Sequence, residues 1–314
     1  MFIFFENVPY FYESAKGENI WTYFFESFSP YDLSDVQRMV QNGGVSQKQI
    51  LYTDLQKAGE AHQNDPDRLT TFWAWEQPSD HAAWMMEKRI LGRAYVKNYV
   101  KPKAIIQKKV ETFIQSYFGK AFVIGVHIRG TDFCYATPTS VETYLRAIDD
   151  LTINNGQPDF QIFLATDQIQ YVETFKAKYE DKVICWEAVR SDNHICPMRF
   201  DQVSGYKKGE DVLIDILLLS RCHHVIKGAA AVGELALWFN DHHEITDFAL
   251  ESDFIRKDYG DLESAYSQLN IARRNSWMLG VHKFRERLVR RLVSSILGRT
   301  LFSKSKFIRR ILIH

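Results

Sequence analysis

Phe122-Val123-Ile124-Gly125-Val126-His127-Ile128 runs directly into Arg129-Gly130-Thr131-Asp132, and this stretch decides the fold. A short apolar run rich in β-branched residues and closed by turn formers reads as a strand buried on both faces of a parallel sheet. Phe160-Gln161-Ile162-Phe163-Leu164-Ala165-Thr166-Asp167 repeats the design, with a predicted helix from Thr143 to Leu151 between the two. Further on, the pattern predicts a helix over Ile169–Tyr179, a third strand over Lys182–Trp186 and an apolar helix over Glu210–Ser220. A short strand over His224–Lys227 and a helix over Gly233–Phe239 follow. Strands alternating with helices imply right-handed crossovers and a doubly wound α/β sheet across residues 121–240.

Upstream, residues 30–118 read as mostly helical. Asp32-Leu33-Ser34-Asp35-Val36 and Asp80-His81-Ala82-Ala83-Trp84 have the form of capped helix starts. Asp54 to Ala61 predicts another short helix. Lys103 to Phe118 places Ile105, Ile106, Val110, Phe113, Ile114 and Tyr117 on one helical face. The switch from helical to strand periodicity sets a domain boundary near 119–121.

The 314 residues suffice for one large domain or two moderate ones. Hydrophobic and charged fractions of 46% and 25% are those of an ordinary soluble globular chain. Many aromatic residues precede residue 100, Trp21, Trp73, Trp75 and Trp84 among them; core filling is the plain reading, and stacking on sugar rings the alternative. The formal net charge of zero hides an asymmetry. Arg273 to His314 carries twelve Lys and Arg against Glu286 alone, leaving 27 basic and 38 acidic residues before it. Such a basic terminus calls for an anionic partner. The body has no helix-turn-helix, zinc-finger or RNA-binding signature, so nucleic acid is not expected. Cys134, Cys185, Cys196 and Cys222 show no CxxC spacing, Met1 to Glu6 lacks a basic n-region, and no run of about 18 apolar residues occurs. A reducing cytoplasm is the expected setting.

In a doubly wound sheet, ligands bind outside the carboxyl ends of the strands. His127, Arg129 and Asp132 end or follow the first strand, and Thr166 and Asp167 end the second. Arg129 carries the most weight, because a guanidinium fork matches phosphate oxygens. If a diphosphate is the leaving group, negative charge grows on it, and a fixed Arg stabilises the transition state more than the ground state. The competing reading is a structural ion pair between Arg129 and Asp132. His127 shares a strand face with Arg129. Asp215 sits in the nearly apolar Val212–Leu219 segment, where an unpaired carboxylate is expensive, so it needs a donor: a structural partner, or a base with adjacent N–H groups such as guanine. A Gly-x-Gly-x-x-Gly turn, a Gly-x-x-x-x-Gly-Lys loop and a Gly-x-Ser-x-Gly elbow are all missing from the sequence. Cys222-His223-His224 and Asp241-His242-His243-Glu244 lack metal-site spacing and read as surface turns.

Val123 to Asp132 resembles the first motif of the GDP-fucose-dependent fucosyltransferase superfamily, which includes α1,2-, α1,6-, protein O- and nodulation-type enzymes. Phe163 to Asp167 is similar to its second motif. Asp211 to Ser220, through Gly228 and on to Leu237-Trp238, is similar to its third. The resemblance implies a GT-B-like architecture of two lobes. Residues 1–119 would be a reduced, mostly helical acceptor-side lobe, 120–270 a Rossmann-like nucleotide-sugar lobe, and 271–314 a basic tail. It also implies an inverting, metal-independent transfer without cofactor, from GDP-β-L-fucose to a glycan acceptor. Arg129 would hold the diphosphate, His127 and Asp167 the donor, and Asp215 guanine. Where family members carry Ser or Thr after the last strand, this chain has Ala229-Ala230-Ala231. Backbone N–H groups at Ala230 and Ala231 would then meet the phosphates. The run also leaves open a silent nucleotide- or glycan-binding protein, or the same fold with another donor sugar. Asp132 is the nearest general base; Glu13, Glu18 and Glu142 are further candidates.

From Trp277 to Ile313, Leu279, Phe284, Leu288, Val289, Leu292, Val293, Ile296 and Leu297 alternate with Lys and Arg at helical spacing. Phe307, Ile308, Ile311 and Leu312 repeat the design after Gly298. An interfacial amphipathic helix has this form. It predicts peripheral attachment to the anionic inner face of the plasma membrane and an acceptor that is a surface polysaccharide or lipid-linked glycan.

Overall fold

The computed structural model describes residues 11–27, 29–44, 80–131, 138–154, 159–240 and 244–250, which belong to one compact unit. In chain order the elements are helices α1 (Trp21–Phe24), α2 (Leu33–Gln41), α3 (His81–Tyr99) and α4 (Ala104–Tyr117), then strand β1 (Phe122–Ile128). Next come α5 (Val141–Asn154), β2 (Phe160–Thr166), α6 (Ile169–Tyr179), β3 (Val183–Ile184) and α7 (Gly205–Leu219). The order closes with β4 (His224–Lys227), α8 (Ala231–Phe239) and β5 (Glu244–Asp247).

All five strands are parallel, in the order β3-β2-β1-β4-β5. The order reverses at β1 and β4, and this is the topological switch point of an open α/β sheet. Alternate residues of β1 feed two cores. Val123 packs with α4, α7 and α8 through Ile106, Val110, Phe113, Leu213, Ile214, Leu218 and Leu237. Ile124, Val126 and Ile128 pack with α5 and α6 through Tyr144, Ile148, Val172 and Phe175. Both faces are therefore dry, which is why β1 and β2 read as continuous apolar runs.

The two expected caps are present. The Asp32 carboxylate accepts from Asp35 N–H within a reciprocal capping box, and Asp80 accepts from Ala83 N–H. The predicted helix over Asp54–Ala61 lies outside the described residues. Three expectations change. The buried face of α4 is narrower than drawn: Ile106, Val110 and Phe113 are buried, whereas Ile105 and Tyr117 are more than half exposed, because the sheet covers only about one stripe of the helix. The third strand shrinks to Val183–Ile184, since Lys182 ends a 3-10 turn and the chain leaves the sheet after Ile184. The apolar helix starts at Gly205 rather than Glu210, capped by Ser204, whose hydroxyl accepts from Lys207 N–H.

Helix α3 is fixed to α8 by shape and charge. Gly92 lies against the Trp238 indole, where an added Cβ would come within 2.3 Å of the ring. Arg89 donates to Glu234 through Nε (2.9 Å) and Nη2 (2.8 Å), and also pairs with Asp247. Lys227 Nζ reaches Glu234 at 3.0 Å and Asp247 at 2.8 Å. Two cations and two carboxylates thus neutralise each other in a buried square. Burial favours the protonated form of Glu234, but the charges of Lys227 and Arg89 outweigh it and hold the carboxyl below its ordinary range.

Candidate functional site at the carboxyl ends of β1, β2 and β4

The polar residues that close β1 and β2 meet. Arg129 Nη1 lies 3.1 Å from Asp167 Oδ2, and Arg129 Nη2 donates to Cys196 Sγ at 3.2 Å. Asp167 also accepts from Gly130 N–H (2.8 Å) and from the Thr131 hydroxyl (2.6 Å). One carboxylate therefore fixes the turn after β1 and the guanidinium that leaves it. Gly130 is required by the close approach: a Cβ there would fall 2.3 Å from Gln168 Oε1. Arg129 keeps 30% of its side chain exposed, so the anchored fork still faces solvent.

Arg129 pairs with Asp167; Asp132, the partner weighed for it in the sequence, lies outside the described residues. A recess of about 20 Å³, roughly the room of one water, is lined by His127, Ile128, Arg129, Pro138, Thr139, Tyr144 and Gly228 to Ala230. It sits across the switch point from β1 to β4. His127 is buried beside it, with Nδ1 unpartnered. Burial, aided by the charges of Arg129 and Lys227, lowers its pKa to about 3, so the imidazole is neutral at physiological pH. The start of α8 has no side-chain cap, and Ala230 N–H is already donated to Gly228 O. Of the two alanines read as phosphate contacts, Ala231 begins the helix itself.

Asp215 is buried in α7, and its Oδ1 has no hydrogen-bond partner among the described residues, so of the two kinds of donor the sequence left open, no structural one meets that oxygen. Burial, with the neighbouring charge of Asp211 and against those of Arg190 and Lys207, raises its pKa to about 8. Asp211, one turn earlier, is fully engaged: it accepts from Trp186 Nε1 (3.0 Å), Val189 N–H (3.1 Å) and Lys207 Nζ (2.5 Å). Among the general-base candidates, Glu13 accepts from Tyr206 N–H at 3.2 Å in the first turn of α7, while Glu18 and Glu142 are exposed. His223 Nδ1 accepts from Val123 N–H and His224 Nε2 meets the Thr246 hydroxyl. Among the described residues, no group of three or more His, Cys, Asp or Glu gathers around one point.

Sequence reasoning missed Cys196 and the Lys227–Glu234 pair. No spacing marks Cys196. The other two had a signal: a Lys closing an apolar strand and a Glu within Ala231–Phe239 are charges in dry segments, as Asp215 is.

Residues 91–229 match the family model described as alpha-(1,6)-fucosyltransferase N- and catalytic domains. Over these residues the chain is similar to the GDP-fucose fucosyltransferase superfamily, as the motifs at Val123–Asp132, Phe163–Asp167 and Asp211–Ser220 suggest. The match contains the fucosyltransferase motifs through Ala229, with His127, Arg129, Asp132, Asp167 and Asp215 inside it and Ala230 and Ala231 beyond its end. Comparison with curated proteins finds none that matches. Among solved structures, fucosyltransferase NodZ from Bradyrhizobium is 16% identical. The alignment covers 81% of this chain and 86% of NodZ, with a TM-score of 0.45. NodZ alpha-1,6-fucosyltransferase soaked with GDP-fucose is 18% identical over 76% and 81%, with a TM-score of 0.44. POFUT1 in complex with GDP is 11% identical over 52% and 50%, with a TM-score of 0.36.

Proposed function

We propose that the protein transfers L-fucose from GDP-fucose, with inversion and without a metal, to a surface-polysaccharide or lipid-linked glycan. The observation that supports this most is Arg129 at the tip of β1, pinned by Asp167 and Cys196 yet open to solvent. As the sugar leaves, charge builds on the departing diphosphate. A guanidinium already fixed in place meets that charge without reorganising. The neutral His127 imidazole lies beside it, and the uncapped α8 N-terminus offers backbone N–H groups in place of the absent hydroxyls. Asp215 faces the base. Residues 1–119 serve the acceptor side of a two-lobed enzyme and 120–270 the donor side. Asp132 takes the acceptor proton.

The basic tail, 271–314, attaches the enzyme to the anionic inner face of the plasma membrane, where a lipid-linked acceptor is found. Deleting residues 278–314 should release the protein from vesicles containing anionic lipid; continued co-sedimentation would refute the attachment. The function itself is tested by calorimetry with GDP and by transfer or hydrolysis of GDP-fucose. GDP binding without either reaction would favour the silent binding protein, and preference for GDP-mannose would change the sugar and keep the base.

A further inference from the structure

Residues 88–110 carry eight Lys and Arg and no Asp or Glu, although residues 1–272 as a whole hold 27 basic against 38 acidic residues. This stretch forms most of α3, the loop 100–103 and the opening of α4. Four of the eight cations are engaged within the fold. Arg89 bonds Glu234, Arg93 donates to Leu237 O, Lys109 pairs with Glu210, and Lys88 is buried over the Trp84 ring. The other four, Lys97, Lys101, Lys103 and Lys108, form no ion pair among the described residues. Lys97, Lys101 and Lys108 are exposed and Lys103 is half-buried.

The backbone that carries these lysines is fixed, and their surroundings are apolar. Glu26 N–H donates to Lys101 O (2.8 Å) and Lys103 N–H to Phe24 O (2.8 Å), so the loop is pinned on both sides of Pro102. Met86, Ile90, Tyr95 and Ile105 each keep about half or more of their surface exposed, and Leu91 keeps 36%. Met86, Ile90 and Lys97 follow one row of α3 at i, i+4 and i+11, and Ile105 and Lys108 share a face of α4 at i and i+3. Single exposed apolar residues are ordinary. A row of them beside lysines without ion pairs marks a contact surface.

Charge and apolar area together select the occupant. A second copy of this chain would bring the same lysines to the contact, and like charges oppose it. A nucleic acid would meet the lysines with phosphates but leave Ile90, Leu91 and Ile105 without apolar partners. A bilayer with anionic headgroups supplies both, since aliphatic side chains enter the headgroup boundary while lysine stems lie along it with their ammonium groups at the phosphates. We propose that this face of α3 and α4 rests on an anionic lipid surface. Ile90, Leu91 and Ile105 enter the headgroup layer, and Lys97, Lys101, Lys103 and Lys108 meet lipid phosphates. The surface is separate from the basic tail and independent of the donor reading. It also orients the body: Arg89, on the buried side of α3, bonds Glu234 in the first turn of α8, so the helix on the membrane lies one layer from the candidate site.

The test is co-sedimentation of the full chain with phosphatidylcholine vesicles, with and without phosphatidylserine, joined to crosslinking by a photoreactive phospholipid mapped by mass spectrometry. Each cation at an anionic leaflet contributes about fivefold in binding. Lys97→Gln, Lys101→Gln and Lys108→Gln combined should therefore weaken binding to the anionic vesicles by about a hundredfold. Ile90→Ser with Ile105→Ser should weaken it by about tenfold or more. Circular dichroism controls for the fold, and in the parent the crosslinks should include residues 86–108. A triple lysine variant that binds within twofold of the parent would leave the tail as sole anchor and overturn the proposal. So would crosslinks confined to residues outside 86–108, equal binding with and without phosphatidylserine, or no binding by the parent. A dimer that Ile90→Ser with Ile105→Ser dissociates, with lipid binding unchanged, would assign the face to a second copy instead.

Discussion

The Arg129 guanidinium and the Asp167 carboxylate, 38 residues apart in sequence, meet at 3.1 Å across the tips of neighbouring parallel strands. β1 and β2 pair in register from Phe122 with Phe160 to Ile128 with Thr166, so the residue after each strand falls beside its counterpart. Asp167 then does three things at once: it holds the Arg129 fork, the Gly130 N–H and the Thr131 hydroxyl.

Arg129→Ala should lower kcat for fucosyl transfer by about 10²–10³, the loss typical of one fixed donor at a developing charge. Asp167→Asn should cost less, about tenfold, because it loosens the fork without removing it. Steady-state kinetics with circular dichroism as the fold control decides this; an Asp167→Asn enzyme with unchanged kcat would show that the anchor is dispensable.

Lys227→Ala should destabilise the fold by about 3–5 kcal/mol, since it leaves Glu234 and Asp247 buried with one cation between them. Urea unfolding measures the loss. A change under 1 kcal/mol would mean that Arg89 alone balances both carboxylates.

Gly92→Ala should cost about 1–3 kcal/mol, because the new methyl overlaps the Trp238 ring and α3 must move off α8. Pairing it with a smaller side chain at 238 should recover part of the loss in a thermal melt.

Acid should weaken the protein in two stages. The folded pKa of His127 is depressed to about 3 from an ordinary 6.5, so the stability contributed by the neutral ring is complete above pH 6.5 and drains away as pH falls toward 3. Glu234 and Asp247 are also depressed, and their contribution disappears as pH falls below about 4.5 and through their folded values. His127→Gln should flatten the first stage and leave the second.

GDP affinity should fall as pH drops below 8. Burial raises the Asp215 carboxyl to about 8, with Asp211 adding to the shift and Arg190 and Lys207 opposing it, so at pH 7 the free protein carries the proton there. Guanine N–H donors favour the carboxylate, and binding releases that proton. The affinity loss approaches tenfold per pH unit well below pH 8. Calorimetry in buffers of different ionisation enthalpy counts the proton, and Asp215→Asn should abolish the dependence. For stability alone the sign is reversed: a raised folded pKa contributes most at low pH, and that contribution is lost as pH rises through 8.

The parts of the fold that were legible are those coded locally. Ile169–Tyr179 and His224–Lys227 have the bounds expected, because their periodicity lies in consecutive residues. Gly205-Tyr206-Lys207-Lys208-Gly209 looks like a loop, yet it forms the first turns of α7. Both glycines are needed there: a Cβ at Gly205 would strike the Phe11 backbone, and one at Gly209 the Phe24 ring. β5, with Ile245 its only apolar residue, has no strand signature. It is held by pairing with β4 and by Asp247 bonding Lys227. Of the site, Arg129, His127, Asp167 and Asp215 stood out as polar residues in or after apolar segments, whereas Cys196 did not.

By itself, the sequence determined that this protein is built on a buried parallel sheet with an arginine at the tip of its first strand. Alternation and run length act over a few neighbouring residues, and burial on both faces leaves its mark in each strand separately. Tertiary structure alone decided the partners: that Arg129 is held by Asp167, that Arg89 crosses 145 residues to Glu234, and that Lys227 lies between Glu234 and Asp247. A charged side chain is satisfied by whatever the packed fold brings within about 3 Å, and no local pattern records which distant residue that is.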